Sequence, residues 1–159
     1  MKSTDYFDRE EKVIATNKKA EHDFIITGKV EAGMQLQGTE VKSLRAGKCS
    51  LKESYAGFKA HKDDELYLFN MHIADYKQGN ITNHEPKRPR KLLLHKREIM
   101  KLKRDVSEKG MTIVPLSIYL SGYLMKVELG VAKAKRKYDK RHALKEKEMK
   151  REVRKKFKA

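Results

Sequence analysis

Between Thr112 and Val131 apolar residues fall at every second position, in two successive runs. Val114, Leu116, Ile118 and Leu120 mark the first run. Met125, Val127, Leu129 and Val131 mark the second, with Leu124, Lys126, Glu128 and Gly130 between them. A period of two sends neighbouring side chains to opposite faces, so each run predicts a strand with one face turned inward. Ser121-Gly122 supplies the hairpin turn that joins them. The same period runs from Phe24 through Ile26, Gly28, Val30, Ala32 and Met34 to Leu36, with Lys29, Glu31, Gly33 and Gln35 on the wet side. Tyr55 to Ala60 and Glu65 to Ile73 predict shorter strands around the turn-like His61-Lys62-Asp63-Asp64.

Two helices interrupt the strands. Glu40 to Ala46 places Val41 and Leu44 on one side, with Thr39 as the expected N-cap and Gly47 as the stop. His95 to Lys109 places Ile99, Leu102 and Val106 at helical spacing and ends at Gly110. Glu98 follows His95 by three, the spacing of a capping box with an unusual cap residue. The expected fold class is therefore mainly β: a small closed antiparallel OB-like barrel with two or three short helices, which hides its sheet edges. A sandwich produces similar patterning.

Charge is unevenly distributed. The chain of 159 residues has a formal net charge of +16. Lys133 to Ala159 holds 14 Lys and Arg against four carboxylates, a net +10, and Lys87 to Arg104 holds nine against Glu98, a net +8. So basic a chain expects a polyanion, nucleic acid before membrane. No apolar run approaches the roughly 20 residues of a membrane span. The segment MKSTDYFDREEK, with Asp5, Asp8, Glu10 and Glu11 and no apolar core, does not read as a secretory signal. Cys49 is alone, which suits a reducing cytoplasm and a half-buried, inert thiol. The expected domains are a flexible N-terminus over 1–12, the barrel over 13–133 and a basic tail over 134–159. The tail has thin apolar content (Leu144, Met149, Val153, Phe157), so disorder in isolation and helix on a polyanion are expected.

Catalytic and metal patterns do not emerge. The six His residues form no HExxH, the Gly residues form no phosphate loop, and no Ser or Asp has a nucleophile signature. His61 to Glu65 reads as a solvated turn. The expectation is a binding protein with no catalytic residue, metal or cofactor. Asp75 to Lys91 is a long polar stretch, and Pro86-Lys87-Arg88-Pro89-Arg90-Lys91 within it expects phosphate contact.

Four strings resemble the SmpB family, the SsrA-binding proteins: NKKAEHDF (Asn17 to Phe24), LQGTEVKSLRAGK (Leu36 to Lys48), RKLLLHKREI (Arg90 to Ile99) and GVAKAKRKYDKR (Gly130 to Arg141). Their order and spacing make the resemblance specific. It implies an OB-type barrel and a basic tail, binding to the tRNA-like end of tmRNA, and delivery of that RNA to stalled ribosomes. The protein would stand in for a tRNA's anticodon arm. The partners it implies are tmRNA and the small-subunit ribosomal RNA at the decoding centre and message channel. Elongation factor Tu and alanyl-tRNA synthetase would be met through the shared RNA.

The resemblance places Asn17, Glu31, Leu93 and Lys126 at positions linked to tmRNA. Lys18, Lys19, His22, Arg45, Arg90, Lys91 and Lys133 complete the expected RNA-binding set. Glu31 and Lys126 already read as wet strand positions, whereas Leu93, inside Leu92-Leu93-Leu94, suits core and contact equally. Lys135, Arg136, Lys137, Tyr138, Asp139, Lys140 and Arg141 match the tail motif, which acts on the ribosome. Tyr138 stands where relatives have His or Tyr, and either ring stacks on a base. Ala134 stands where some relatives have Gly. Two other readings are a structural ribosomal protein with an OB-like core and an RNA-processing enzyme.

Overall fold

The structure is a computed structural model that describes residues 11–59, 64–77, 83–135 and 137–157, with no account of the side chains of 137–143 and 155–157. The N-terminal ten residues, most of the His61 turn and Arg136 fall outside it. The strands are β1 (Glu11–Thr16), β2 (Phe24–Met34), β3 (Cys49–Ser50), β4 (Tyr55–Phe58), β5 (Leu66–Phe69), β6 (His72–Ile73), β7 (Arg90–Leu93), β8 (Thr112–Ser121) and β9 (Leu124–Ala134). The helices are α1 (Lys18–Asp23), α2 (Gly38–Arg45), α3 (Lys96–Lys109) and α4 (Lys137–Phe157).

The chain is mainly β, and its large antiparallel sheet returns on itself. The hydrogen-bonded order is β1-β8-β4-β5-β7-β2-β9, and β9 pairs again with β8. The ring is held unevenly. β2 and β9 pair from Phe24↔Ala134 to Gly33↔Lys126, whereas β4 meets β8 through Ala56↔Ile113 and β2 meets β7 through Gly33↔Leu93 and Met34↔Leu92. The main core lies inside, with Leu44, Leu66, Leu68, Ile73, Ile113, Ile118, Val127 and Leu129 all fully buried.

β8 departs from simple alternation. Its register shifts between Pro115 and Ser117, and such a bulge sends the residues beyond it to the other face. Ile113 and Ile118 therefore share the main core, while Val114 and Leu116 pack with Ala20 and Ala132 in a second cluster. Gly130, expected on a wet face, is buried, and a Cβ there would lie 3.1 Å from the δ-carbons of Leu116. The short helix α1 roofs this cluster through Ala20, its buried residue. A six-residue helix with one buried position leaves almost no periodic signal.

Helix starts follow the sequence with one correction. α2 begins at Gly38 with Gln37 as N-cap, not Thr39, and the Gln37 amide donates to Glu40 Oε1 at 2.8 Å. His95 caps α3, and its amide donates to Glu98 Oε1 at 3.3 Å. Gly110 ends α3 at φ +61° and Gly122 turns the β8–β9 hairpin at φ +62°, conformations that favour glycine.

In the structure the tail is a helix, α4 over Lys137–Phe157, the form expected of it on a polyanion. The segment lacks Gly and Pro, and Glu146/Lys150 and Glu152/Lys156 are favourable i,i+4 pairs. Residues 144–154 are all exposed, Leu144, Met149 and Val153 included, so that stretch has backbone order without a core.

Candidate nucleic-acid interface

The odd residues of β2 face outward, and one of them anchors the best-defined polar site. Glu31 accepts a hydrogen bond from Lys126 Nζ on β9 at 2.7 Å, and another from the Tyr119 hydroxyl on β8. Lys126 pairs in register with both Gly33 and Tyr119, so strand registry alone sets the group. The Lys126 and Tyr119 bonds hold the Glu31 carboxyl below its ordinary 4.5. Burial, then the Glu31 charge, push the Tyr119 hydroxyl well up. The site thus keeps a fixed carboxylate beside an ammonium. Such a pair has the chemistry to accept from base or ribose donors and to neutralise a phosphate.

Leu93 extends the same row. Gly33 pairs with it across β2 and β7, and its missing side chain leaves Leu93 51% exposed while Leu92 is buried. The two possibilities for the leucine run are thereby separated: Leu92 is core and Leu93 is surface. Lys29 and Glu128 form a 3.7 Å ion pair on the neighbouring row. Alternation already places Tyr119 opposite Ile118 and Leu120, but only the register of β8 with β9 brings it beside Lys126 and Glu31.

A second group surrounds α1. Asn17 donates through Nδ2 to the Pro115 carbonyl at 2.9 Å and through its backbone to Leu116 at 2.7 Å, fixing the helix start on β8. Lys18 and Lys19 are exposed beside a shallow pocket of about 300 Å³ that Cys49, Ser50 and Lys52 also line. Burial raises the Cys49 thiol pKa. His22 Nδ1 lies 3.0 Å from Asp23 Oδ1. Lys133 is exposed at the end of β9, where it pairs with Ile25. Lys135 is anchored: its amide donates to the Asp23 carbonyl and its Nζ to that of Glu21, both at 2.9 Å.

Other expected residues lie elsewhere. Arg45 is exposed at the end of α2. Arg90 is a correction: it is fully buried, so its side chain has no surface for RNA. Its Nε donates to Glu40 Oε2 and its Nη1 to the Met71 carbonyl, both at 2.5 Å, and Nη2 reaches the Glu85 and Pro86 carbonyls. Arg88 donates to the other Glu40 oxygen at 2.5 Å. Burial pushes the Glu40 carboxyl up, yet Arg88, the Gln37 amide and Arg90 together hold it below 4.5. His84 joins Thr39 at 2.8 Å and the Ile73 carbonyl at 2.9 Å nearby. Half of the basic run thus secures the polar stretch to α2. Lys91 is half-buried, 3.3 Å from Glu65. In the tail, Lys137, Tyr138, Asp139, Lys140 and Arg141 lie in the first turns of α4, their side chains outside the described set, and Arg136 lies outside it altogether. Among the described residues, no helix is long and apolar enough to cross a membrane, and no group of three or more His, Cys, Asp and Glu could hold a metal.

A basic chain whose exposed sheet face orders a carboxylate, an ammonium and an apolar side chain has the makings of a nucleic-acid-binding protein of the β-rich class. The family model described as SmpB protein matches residues 14–159. An SsrA-binding protein of Carboxydothermus hydrogenoformans is 53% identical, over 94% of this chain and 98% of its own. One of Staphylococcus aureus is 56% identical, over 92% and 93%. A solved structure described as "tmRNA-SmpB: a journey to the center of the bacterial ribosome" is 47% identical, covers 82% of this chain and 93% of its own, and superposes with a TM-score of 0.65. The chain belongs to the SmpB family.

Proposed function

We propose that the chain is an RNA-binding adaptor that grips the tRNA-like end of tmRNA and brings it to stalled ribosomes for trans-translation. The observation that supports this most is the likeness to SsrA-binding proteins over more than nine-tenths of the chain. The ring of strands acts as an OB-type barrel over 13–133. Its outer row of Tyr119, Lys126, Glu31 and Leu93 meets the RNA by shape, backbone and ribose contacts. Lys18 and Lys19 on α1, Arg45 and Lys133 add phosphate contacts.

The tail over 134–159 is the second working part. With Tyr138, Asp139, Lys140 and Arg141 at its start, it enters the message channel left empty at a broken message, where a polyanionic wall stabilises its helix. The protein works in the cytoplasm and performs no catalysis itself. The test is to recover the protein from cells and sequence its bound RNA. Enrichment of tmRNA, with the protein sub-stoichiometric on ribosomes and concentrated on stalled ones, supports the adaptor. Stoichiometric presence on all ribosomes would indicate a structural ribosomal protein instead.

A further inference from the structure

Three aromatic rings gather on the outer face of β4 and β5, away from the Glu31 row. Tyr55 stacks on Phe69 with ring centroids 5.4 Å apart and planes 27° from parallel, and Tyr67 lies 6.3 Å from Phe69. Their neighbours in the strands, Ala56, Leu66 and Leu68, are buried, so alternation turns the rings outward. Gly57 lies beneath: a Cβ there would sit 3.6 Å from the Phe69 ring and 3.9 Å from that of Tyr55. One face of Tyr55 is covered by Phe69, yet the residue remains 44% exposed.

The surroundings of the rings are cationic. Lys59 Nζ stands 4.3 Å from the Tyr67 ring centre. Lys91 is opposite Tyr67 in register, and Glu65 receives both the Tyr67 hydroxyl and the Lys91 ammonium. Lys59, Tyr67, Arg88 and Lys91 line an open pocket of about 510 Å³ together with Gln35 and Gln37. Rings for a base, ammonium groups for its phosphates and amides for base edges are the parts of a single-strand site. A purely apolar partner would have no use for the cations. The face is also continuous with the Glu31 row, since Lys91 and Leu93 alternate outward on β7 and Leu93 meets Gly33 and then Lys126 in register.

We propose that the β4–β5 face is a second RNA subsite, which takes an unpaired nucleotide with its base on Tyr55 and its phosphates at Lys59 and Lys91. It rests on the reading of the chain as an RNA-binding adaptor and extends the RNA path across β2, β7 and β5. A folded RNA would thus be held at two places, by its backbone at Lys126 and by an unstacked base at Tyr55. The second contact would favour RNAs that present a loop at that distance.

The experiment uses the full chain and two probes: the tRNA-like domain of tmRNA, and a mixed-sequence single-stranded RNA of about twelve nucleotides. Tyr55→Ala is expected to weaken the single strand about 5- to 150-fold, the effect of one lost stacking partner, while Tyr55→Phe stays within about twofold. Lys59→Ala should lower the salt slope for the single strand by about 0.7. Because the chain has no Trp, its fluorescence is that of tyrosine, and quenching by the oligonucleotide should fall in Tyr55→Phe. If Tyr55→Ala does not fold, ultraviolet cross-linking of the unaltered protein decides: a base joined to Tyr55 supports the site, and cross-links confined to other strands overturn it. Tyr55→Ala that binds both RNAs like the parent overturns the subsite but leaves the adaptor reading intact; if that variant also loses ribosome rescue, the face belongs to a protein partner. A parent chain that binds neither RNA overturns both.

Discussion

Glu31 and Lys126 look alike from the sequence, as charges on wet strand faces, but their expected losses differ in kind. Lys126→Ala should weaken binding to a tRNA-like RNA and lower the salt slope by about one charge, since a released phosphate recovers its counterion. Glu31→Ala should weaken binding with little change in slope, and Tyr119→Phe should have a smaller effect of the same kind, because it removes one bond that orients the carboxylate. Tighter binding by Glu31→Ala would mean that the carboxylate only repels RNA. The pH dependence has a definite sign. The folded pKa of Glu31 lies below its ordinary 4.5. The folded state therefore binds fewer protons than the unfolded one, and the associated stability is full above that value and lost as pH falls through the folded pKa. Affinity titrated from pH 8 to pH 5 should show no step from this carboxyl.

Glu40 follows the same sign with larger stakes, being fully buried. Glu40→Gln strands the buried Arg90 charge and should cost about 3–5 kcal/mol, read by urea unfolding at neutral pH. The deficit relative to the parent should narrow below pH 4.5, as the parent's own Glu40 protonates. None of this was legible in advance. Arg90 sits among cations that look interchangeable, and its partner is 50 residues away in the chain.

At the scale of elements, long periodic runs were legible and their irregularities were not. β2, β9 and α3 follow from spacing, because a half-buried strand or helix face must repeat. The β8 bulge leaves one ambiguous mark, Pro115, since a proline inside a strand run goes with an edge or a bulge: Val114, Leu116, Ile118 and Leu120 read as one face, and the shift at Pro115/Ser117 divides them between two clusters. α1 was invisible for the opposite reason, too short for a period. The Gly130–Leu116 contact tests the division. Gly130→Ala should cost about 1–3 kcal/mol in urea unfolding by overpacking, since Leu116 already lies against that position. Adding Leu116→Val should recover part of the loss, because the two positions share one space. Strictly additive losses would show that Gly130 matters for its backbone alone. The site was legible in the same uneven way: outward Glu31 and Lys126 came from alternation, whereas their bond to each other needed the register of β2 and β9.

At the scale of the whole molecule, the charge of the tail and the geometry of the sheet make opposing demands on one experiment. Truncation after Lys133 removes 13 Lys and Arg against four carboxylates, a net +9. On a purely electrostatic view that loss should cripple RNA binding, because each neutralised phosphate releases counterions. On the two-part view most tmRNA affinity survives, since the Glu31 row and the α1 cations remain on the sheet, and productive rescue of stalled ribosomes is what vanishes. The 21 residues of α4 would extend about 30 Å at ~1.5 Å per residue, enough to line an empty message channel. With residues 144–154 all exposed, this stretch gains little from the rest of the fold. Hydrogen exchange there should be much faster than in β9 for the free protein and slow on the ribosome, where the wall offsets the entropy of ordering. The narrower variant Asp139→Ala with Lys140→Ala and Arg141→Ala changes net charge by only one unit, so it separates charge from position. It should bind tmRNA almost as well as the parent and fail to support peptide tagging on ribosomes stalled at a message end. Equal losses in binding and tagging would reject the division of labour, and unchanged tagging would reduce the tail to a solubilising appendage.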